Sequence, residues 1–143
     1  MQVMQILKDK GAEVVTMSAD ETIAEAAQVL RERRIGAIVV VGPRGELQGI
    51  LSERDVVRCL AQRGNEALDE RVGAVMTSPV ITCEADTSLE DLMRLMTNRR
   101  IRHLPVVRNG RLGGIISIGD VVRFRLMELE SETETLREYI GGR

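Results

Sequence analysis

Two short segments of the chain pair a serine with an aspartate three residues later, each at a predicted strand-to-helix turn. Ser52 precedes Asp55, and Ser117 precedes Asp120. A serine hydroxyl beside the free N–H groups of a helix start can hold a phosphate, and a carboxylate can accept hydrogen bonds from two neighbouring hydroxyl groups. The simpler alternative is that both residues only cap the following helix, where an exposed cap contributes about 1 kcal/mol. The spacing alone leaves both interpretations open.

Catalytic and metal-binding arrangements have few candidate residues. His103 is the only histidine of the chain, so a pair of histidine ligands or a HExxH helix cannot form within one chain. A Ser-His-Asp triad would need His103 beside Ser52 or Ser117, and nothing in the sequence positions a substrate carbonyl there. No GxGxxG or Walker A loop occurs. We therefore predict a protein that is not an enzyme, with no catalytic residues, no metal site and no catalytic cofactor.

Both serine–aspartate segments belong to an internal repeat. Residues 14–58 align with residues 80–123 at an offset of 66, which becomes 65 after a one-residue deletion in a turn. In each copy a short strand comes first, and a predicted capping box, Thr22 with Glu25 or Ser88 with Asp91, then opens an amphipathic helix. A strand rich in β-branched residues, a turn, a short strand and a second helix follow. This order predicts an α+β fold of two β-α-β-β-α repeats, packed sheet to sheet around a pseudo-twofold axis.

The repeat also sets the predicted domain boundaries. We assign residues 1–68 to repeat 1, residues 69–127 to repeat 2 and residues 128–143 to a C-terminal helical extension. The connector 61–75 contains glycines and is predicted to be a loop with a short helix at most. Residues 123–140 are predicted to form one helix, which is either solvated or used for self-association.

Composition argues against several other classes of protein. The chain has 143 residues, a net charge of −2 and 1% aromatic residues. It therefore lacks the basic surface and the stacking platform that nucleic-acid binders use. No apolar run reaches the roughly 18 residues of a membrane span, and no signal peptide is recognised. Cys59 and Cys83 are far apart in sequence and are predicted to be reduced. We predict a cytoplasmic protein that does not bind a membrane.

The repeat resembles the CBS domain, named after cystathionine β-synthase, in its tandem form. The resemblance is carried by GILSERD at 49–55, GIISIGD at 114–120 and IRHLPVV at 101–107. It covers about residues 3–126, and the chain is similar to stand-alone bacterial proteins with one CBS pair. The resemblance implies a regulatory, energy-sensing module. Such a module binds AMP, or another adenosine ligand such as NAD(H), ATP or S-adenosylmethionine, between the repeats and signals to a partner.

The same resemblance implies which residues bind the nucleotide. The aspartates would bind the ribose hydroxyls, the serines the phosphate, and the strand backbone would read the adenine edge. Arg102 and His103 align with basic residues that meet phosphates in some relatives, whereas repeat 1 has Gly36 and Ala37 there and could use Arg54 instead. We therefore expect two chemically unequal sites. The predicted nucleotide-binding residues are Thr16, Ile35, Gly36, Ala37, Ser52, Arg54, Asp55, Thr82, Ile101, Arg102, His103, Leu104, Pro105, Ser117 and Asp120.

Relatives of this kind usually pair two chains in a disc, so the resemblance also implies a homodimer. Its contact would use the helical segments Ile23–Leu30, Leu89–Met96, Val56–Leu60 and Val121–Leu126. The sequence does not identify the downstream protein, and nucleic acid is not an expected partner. The alternative function is a ligand-free structural or nucleic-acid-binding accessory protein, which the serine and aspartate in both copies disfavour.

Overall fold

The computed structural model describes residues 1–141, so the last two positions of the predicted extension, 142 and 143, lie outside the described residues. The helices are α1 (Val3–Lys10), α2 (Ile23–Arg33), α3 (Glu53–Arg63), α4 (Val72–Val75), α5 (Leu89–Arg99) and α6 (Ile118–Gly141). The strands are β1 (Thr16–Met17), β2 (Ala37–Val41), β3 (Leu47–Ser52), β4 (Cys83–Glu84), β5 (His103–Arg108) and β6 (Arg111–Ser117).

The strands form two three-stranded sheets with the same topology. In each sheet a central strand, β2 or β5, pairs in parallel with the short strand before it and antiparallel with the strand after it. The antiparallel register shifts at the same place in both copies, after Val40 in β2 and after Val106 in β5. The α+β class and the β-α-β-β-α order predicted from the repeat are confirmed.

Local hydrogen bonds start the first long helix of each copy. Thr22 Oγ1 accepts a hydrogen bond from Glu25 N at 3.2 Å. Ser88 Oγ accepts the equivalent bond from Asp91 N at 3.0 Å. The N-cap half of each predicted capping box therefore forms and satisfies one of the N–H groups that a helix start leaves without a partner, whereas the return bond from the Glu25 or Asp91 side chain does not form.

Each sheet has its own hydrophobic core, and each core includes a helix from the other side of the predicted boundary. Val3 and Ile6 of α1 pack into the core of the second sheet. Val72 of α4 packs into the core of the first. Burying one such aliphatic side chain stabilises the fold by about 1.5–3 kcal/mol. These exchanged helices tie the two repeats together. The division at residue 68 stays a prediction, and hydrophobic contacts cross it.

The apolar side chains of α2 and α5 fill these cores. Ile23 on α2 and Leu92 on α5 are completely buried. Val29, Met93 and Leu95 of the same two helices are only partly buried, so a contact of Ile23–Leu30 and Leu89–Met96 with a second chain stays a prediction. Most of the large apolar side chains that are exposed lie on α3 and α6.

The connector is more helical than the sequence predicts. α3 continues to Arg63, a 3-10 turn occupies Gly64–Asp69, and α4 follows. Gly64 ends α3 with a φ of 59°, in the region that favours glycine. The single helix predicted over 123–140 is confirmed as part of α6. Within residues 1–141, no helix combines the length and the apolar character needed to cross a membrane.

Candidate functional site

The Ser52–Asp55 turn is a closed, hydrogen-bonded cap at the start of α3. Asp55 Oδ2 accepts hydrogen bonds from Ser52 N at 2.9 Å and from Ser52 Oγ at 3.0 Å. Asp55 N donates to Ser52 Oγ at 3.3 Å. The other carboxylate oxygen, Oδ1, accepts from Thr77 Oγ1 at 3.2 Å. Asp55 is 6% exposed and is the one buried charged residue in the part of the chain that the structure describes. The protein itself satisfies this carboxylate.

The Ser117–Asp120 turn repeats this geometry but meets a charged partner. Asp120 Oδ2 accepts from Ser117 N at 2.9 Å and from Ser117 Oγ at 3.0 Å, and Asp120 N donates to Ser117 Oγ at 3.2 Å. Lys10 Nζ, at the end of α1, donates to the same carboxylate oxygen at 2.7 Å. The Asp120 side chain is 20% exposed. The carboxylate of Asp120 is therefore held in a salt bridge with Lys10.

Lys10 and Thr77 play equivalent parts in the two copies. Thr77 N donates to the carbonyl oxygen of Ile50 at 2.8 Å. Lys10 Nζ donates to the carbonyl oxygen of Ile115, the residue that matches Ile50 in the repeat, at 2.9 Å. Each also donates to the aspartate of its turn. A neutral hydroxyl thus covers the first aspartate and an ammonium group covers the second.

The ionised form of Asp120 is favoured by these contacts. Burial alone would raise the pKa of Asp120, but hydrogen bonds from Lys10 and Ser117 and the charge of Lys10 outweigh burial, so its pKa lies below the ordinary value. The carboxylate is therefore negative at neutral pH. An accessible negative carboxylate is a strong hydrogen-bond acceptor for hydroxyl groups.

His103 lies where the two repeats meet. It faces Ser117 across the β5–β6 pair. A Cβ added to Gly36 would lie 2.9 Å from His103 Cε1 and 2.9 Å from Glu53 Oε1, so the glycine of repeat 1 leaves room for both groups. Burial lowers the pKa of His103 below its ordinary value of 6.5, and the charge of Glu53 opposes this. The ring is neutral at pH 7 and can both donate and accept a hydrogen bond.

The strand starts assigned to adenine recognition are bonded to the same turns. Gly36 O accepts a hydrogen bond from Glu53 N at 3.0 Å, and Arg102 O accepts from Ile118 N at 2.8 Å. These bonds use the first N–H group of α3 and of α6, and the serine oxygens use the third. The phosphate role of the two serines stays a prediction, because a phosphate would have to replace some of these bonds.

The other predicted site residues fall into two groups. Some have side chains that are exposed or half-buried, namely Thr16, Ile35, Arg54, Thr82, Ile101 and Arg102. The rest are buried in the strands, namely Ala37, Leu104 and Pro105. The buried residues can offer a ligand only main-chain atoms, which agrees with the backbone role that the resemblance implies.

Three residues beside these turns were not predicted. Lys10 and Thr77 lie outside the aligned repeats, so the alignment gives them no counterpart of the same type. Glu53 follows Ser52, but only the fold brings its carboxylate to His103. A positive charge shortly before repeat 1 was the one available signal for Lys10, and such charges are common on solvated helix ends.

Two surface grooves lie on equivalent faces of the repeats. One, of about 520 Å³, runs beside α2 and α3 and includes Ile35, Gly36 and Glu53. The other, of about 650 Å³, lies beside α5 and α6 and does not include Ser117 or Asp120. The larger groove is therefore not the predicted nucleotide site. The exposed apolar side chains on α3 and α6 include Val57, Leu60, Val122 and Leu126.

Comparison with known proteins identifies the repeat. Residues 4–62 and 72–126 match the CBS domain. The chain belongs to the CBS domain family. It is 36% identical over 149 aligned positions to the mitochondrial CBS domain-containing protein CBSX3 of Arabidopsis thaliana, covering 98% of this chain and 72% of that protein.

Solved CBS structures share the fold. The CBS-domain containing protein ATU1752 from Agrobacterium tumefaciens superposes with a TM-score of 0.86 at 45% identity, over 87% of this chain and 99% of that one. The CBS domain pair of protein MJ0100, in complex with 5′-methylthioadenosine and S-adenosyl-L-methionine, has a TM-score of 0.80 at 27% identity, over 90% of this chain and 98% of that one. This chain is a tandem CBS pair, with unequal surroundings for the aspartates of its two repeats.

Proposed function

We propose that this CBS pair binds one adenine nucleotide per chain beside Asp120 of repeat 2 and passes the bound or free state to a partner protein. The candidate ligands are AMP, ATP and NAD(H). The observation that carries the proposal is the accessible, negative carboxylate of Asp120, which is held by Lys10 and lies close enough to His103 to act electrostatically on its ring. The ligand class is supported by the MJ0100 pair, because both of its bound molecules contain adenosine.

Asp120 has the chemistry to bind a ribose. No hydrogen bond to its Oδ1 atom is formed within residues 1–141, and Oδ2 is shared between Ser117 and Lys10. The two vicinal hydroxyls of a ribose donate to both oxygens of a carboxylate. A ribose would therefore take the open position on Oδ1 and the position of Lys10 on Oδ2, while Ser117 keeps the cap.

Lys10 has a second role once the ribose has displaced it from Asp120 Oδ2. Its ammonium group keeps three donors and a full positive charge. Arg102 adds a second cation to the electrostatic surroundings of His103. Both cations favour a phosphorylated nucleoside over a neutral one. Glu53 opposes them, so the phosphate is expected on the side of the cleft away from that carboxylate.

Repeat 1 offers a poorer site. Asp55 is buried, and Thr77 already bonds its second carboxylate oxygen. The cation nearest to that carboxylate is Arg58, whose NH1 atom lies 3.8 Å from Oδ1 and whose side chain is mainly exposed. A ribose would have to break a satisfied hydrogen bond without a compensating charge. We therefore propose that the nucleotide of highest affinity binds at repeat 2 alone.

Nucleotide binding should be measurable as added stability. At a free concentration one hundred times the dissociation constant, a ligand that binds only the native state raises the free energy of unfolding by about 2.7 kcal/mol. We expect AMP, ATP or NAD(H) to stabilise the protein by this amount, seen as a higher melting temperature. We expect titration calorimetry to give one site per chain. Ribose 5-phosphate, which lacks adenine, serves as the matched control. Unchanged melting with every adenine nucleotide at millimolar concentration would contradict the proposal and favour a ligand-free accessory role.

The proposed role is regulatory and not catalytic. We also propose that two chains pair through exposed apolar residues of α3 and α6, such as Val57 and Val122. A cytoplasmic location is part of the same proposal. The downstream protein is one that distinguishes the nucleotide-bound state from the free state.

A further inference from the structure

α6 carries an exposed heptad pattern that the nucleotide site does not use. Apolar or small residues recur along it at alternating spacings of four and three, which is the pattern of a coiled coil. We call the following six residues the α6 seam: Val122, Leu126, Leu129, Thr133, Leu136 and Ile140.

The seam points away from the core of its own chain. Val121 and Phe124 of the same helix are 1% and 3% exposed and pack against the second sheet. In contrast, Leu126, Leu136 and Ile140 are 54%, 59% and 64% exposed. A solvated helix would carry polar residues on this face. α6 therefore has two apolar faces, and only one of them is covered within the chain.

The matching helix of repeat 1 has no such seam. α3 ends at Arg63, with Gly64 as its C-cap. The position that matches Gly64 in α6 is Leu129, and α6 continues to Gly141. The long helix and its seam therefore belong to repeat 2 only.

We propose that the α6 seam pairs with the seam of a second copy of this chain in a parallel, in-register two-stranded coiled coil. The charged residues that flank the seam determine which helix it pairs with and in which direction. In a parallel pair, Arg125 faces the partner's Glu130, and Glu132 faces the partner's Arg137. Twofold symmetry doubles each pair, so four attractive contacts form. Within the chain, Arg125 NH1 lies 3.3 Å from Glu128 Oε1, in an ion pair whose side chains are 42% and 23% exposed.

An antiparallel pair would bring like charges together. Packing Leu126 against the partner's Leu136 places Glu132 beside the partner's Glu132, and Glu130 beside the partner's Glu130. Both contacts are repulsive, and none of the four attractive pairs remains. Charge complementarity therefore selects the parallel arrangement, which orients the two CBS pairs of a dimer with their second repeats side by side.

Thr133 fixes the register in which two α6 seams pair. It occupies the middle of three positions of one heptad type, between Leu126 and Ile140. Its hydroxyl donates to the carbonyl oxygen of Leu129 at 2.9 Å, so it enters the seam without an unsatisfied donor. A polar residue at one such position lowers stability and fixes the alignment of the helices.

Single-cysteine variants of the full chain test direction and register. Leu126→Cys and Leu136→Cys, each alone, should give disulfide-linked dimers on mild oxidation with oxidised glutathione. Ser131→Cys, on the outer face of α6, is the control and should stay mainly monomeric on a non-reducing gel. The native cysteines contribute little, because Cys59 and Cys83 are buried and burial raises the pKa of Cys83 to about 11.

Three cross-linking results would overturn the proposal. Cross-linking only in a mixture of Leu126→Cys with Leu136→Cys would show an antiparallel pair. Equal cross-linking of Ser131→Cys would show unspecific encounter. Absence of cross-links from both seam variants would show that the seam is solvated.

Charge exchange gives an independent test. Glu132→Lys should raise the dimer dissociation constant roughly fivefold to thirtyfold, since two attractive contacts become repulsive. The double variant E132K/R137E should restore it. Glu134→Lys makes the same change of charge off the seam and should have little effect. Equal weakening by Glu132→Lys and Glu134→Lys, or absence of rescue in sedimentation equilibrium, would contradict the parallel pairing.

Discussion

Replacing Asp120 by alanine should weaken the binding of AMP or ATP by about tenfold to more than a hundredfold. The substitution removes the two oxygens that accept the ribose hydroxyls, and hydrogen bonds to a charged group contribute roughly 1.5–3 kcal/mol. It also removes a negative charge that lies close to Lys10, which improves the attraction to phosphate. The loss should therefore be larger for adenosine, which has no phosphate, than for AMP. Titration calorimetry with both ligands measures the difference.

The matched control is Asp86→Ala, because Asp86 is an exposed aspartate of repeat 2 away from the turn. It should bind AMP as the wild type does. A folded Asp120→Ala variant with wild-type affinity for AMP would show that the Asp120 carboxylate is only a helix cap and that the ligand binds elsewhere.

The largest effect on stability is expected at Asp55. Asp55→Ala should lower the free energy of unfolding by about 1–3 kcal/mol, since the Asp55 carboxylate is 6% exposed and its loss leaves Ser52 N and Ser52 Oγ without their acceptor in a half-buried place. Asp120→Ala should lower it by only about 1 kcal/mol, because Lys10 and Ser117 can turn to water. Urea unfolding of the two variants measures both values. Equal losses would contradict the difference in burial on which the unequal sites depend.

The architecture was predictable because its signals are local. Thr22 and Ser88 are N-cap residues that predict the starts of α2 and α5, and runs of β-branched residues predict β2 and β5. A repeat doubles each of these signals, so an error in one copy is visible in the other. The serine–aspartate turns were found in the same way, as two matching motifs.

The exchange of helices between the cores was not predictable from these signals. α1 precedes repeat 1 in the chain, yet Val3 and Ile6 complete the core of the second sheet. Periodicity shows that a helix has an apolar face but not which sheet covers it. Lys10 was missed for the same reason, since its contact with Asp120 joins residues far apart in the sequence.

Burial of the first turn was also missed. A helix cap is usually exposed, and the sequence gives no sign that Thr77 covers Asp55. The expectation of an exposed cap at Asp55 was wrong, because α4 packs on the first core and carries the following segment across the turn. At Asp120 the covering group is the long Lys10 side chain, which is 25% exposed, and the Asp120 side chain stays 20% exposed.

The central claim, an adenine nucleotide beside Asp120, is tested most directly by nuclear magnetic resonance of the single histidine. His103 faces Ser117 across the sheet, so AMP bound at this turn must change its surroundings. We predict that AMP shifts the ring-proton resonances of His103 to saturation, with the dissociation constant found by calorimetry, and that Asp120→Ala needs at least about tenfold more AMP for the same shift. Stabilisation of the protein by AMP while the His103 resonances stay unmoved would contradict the account.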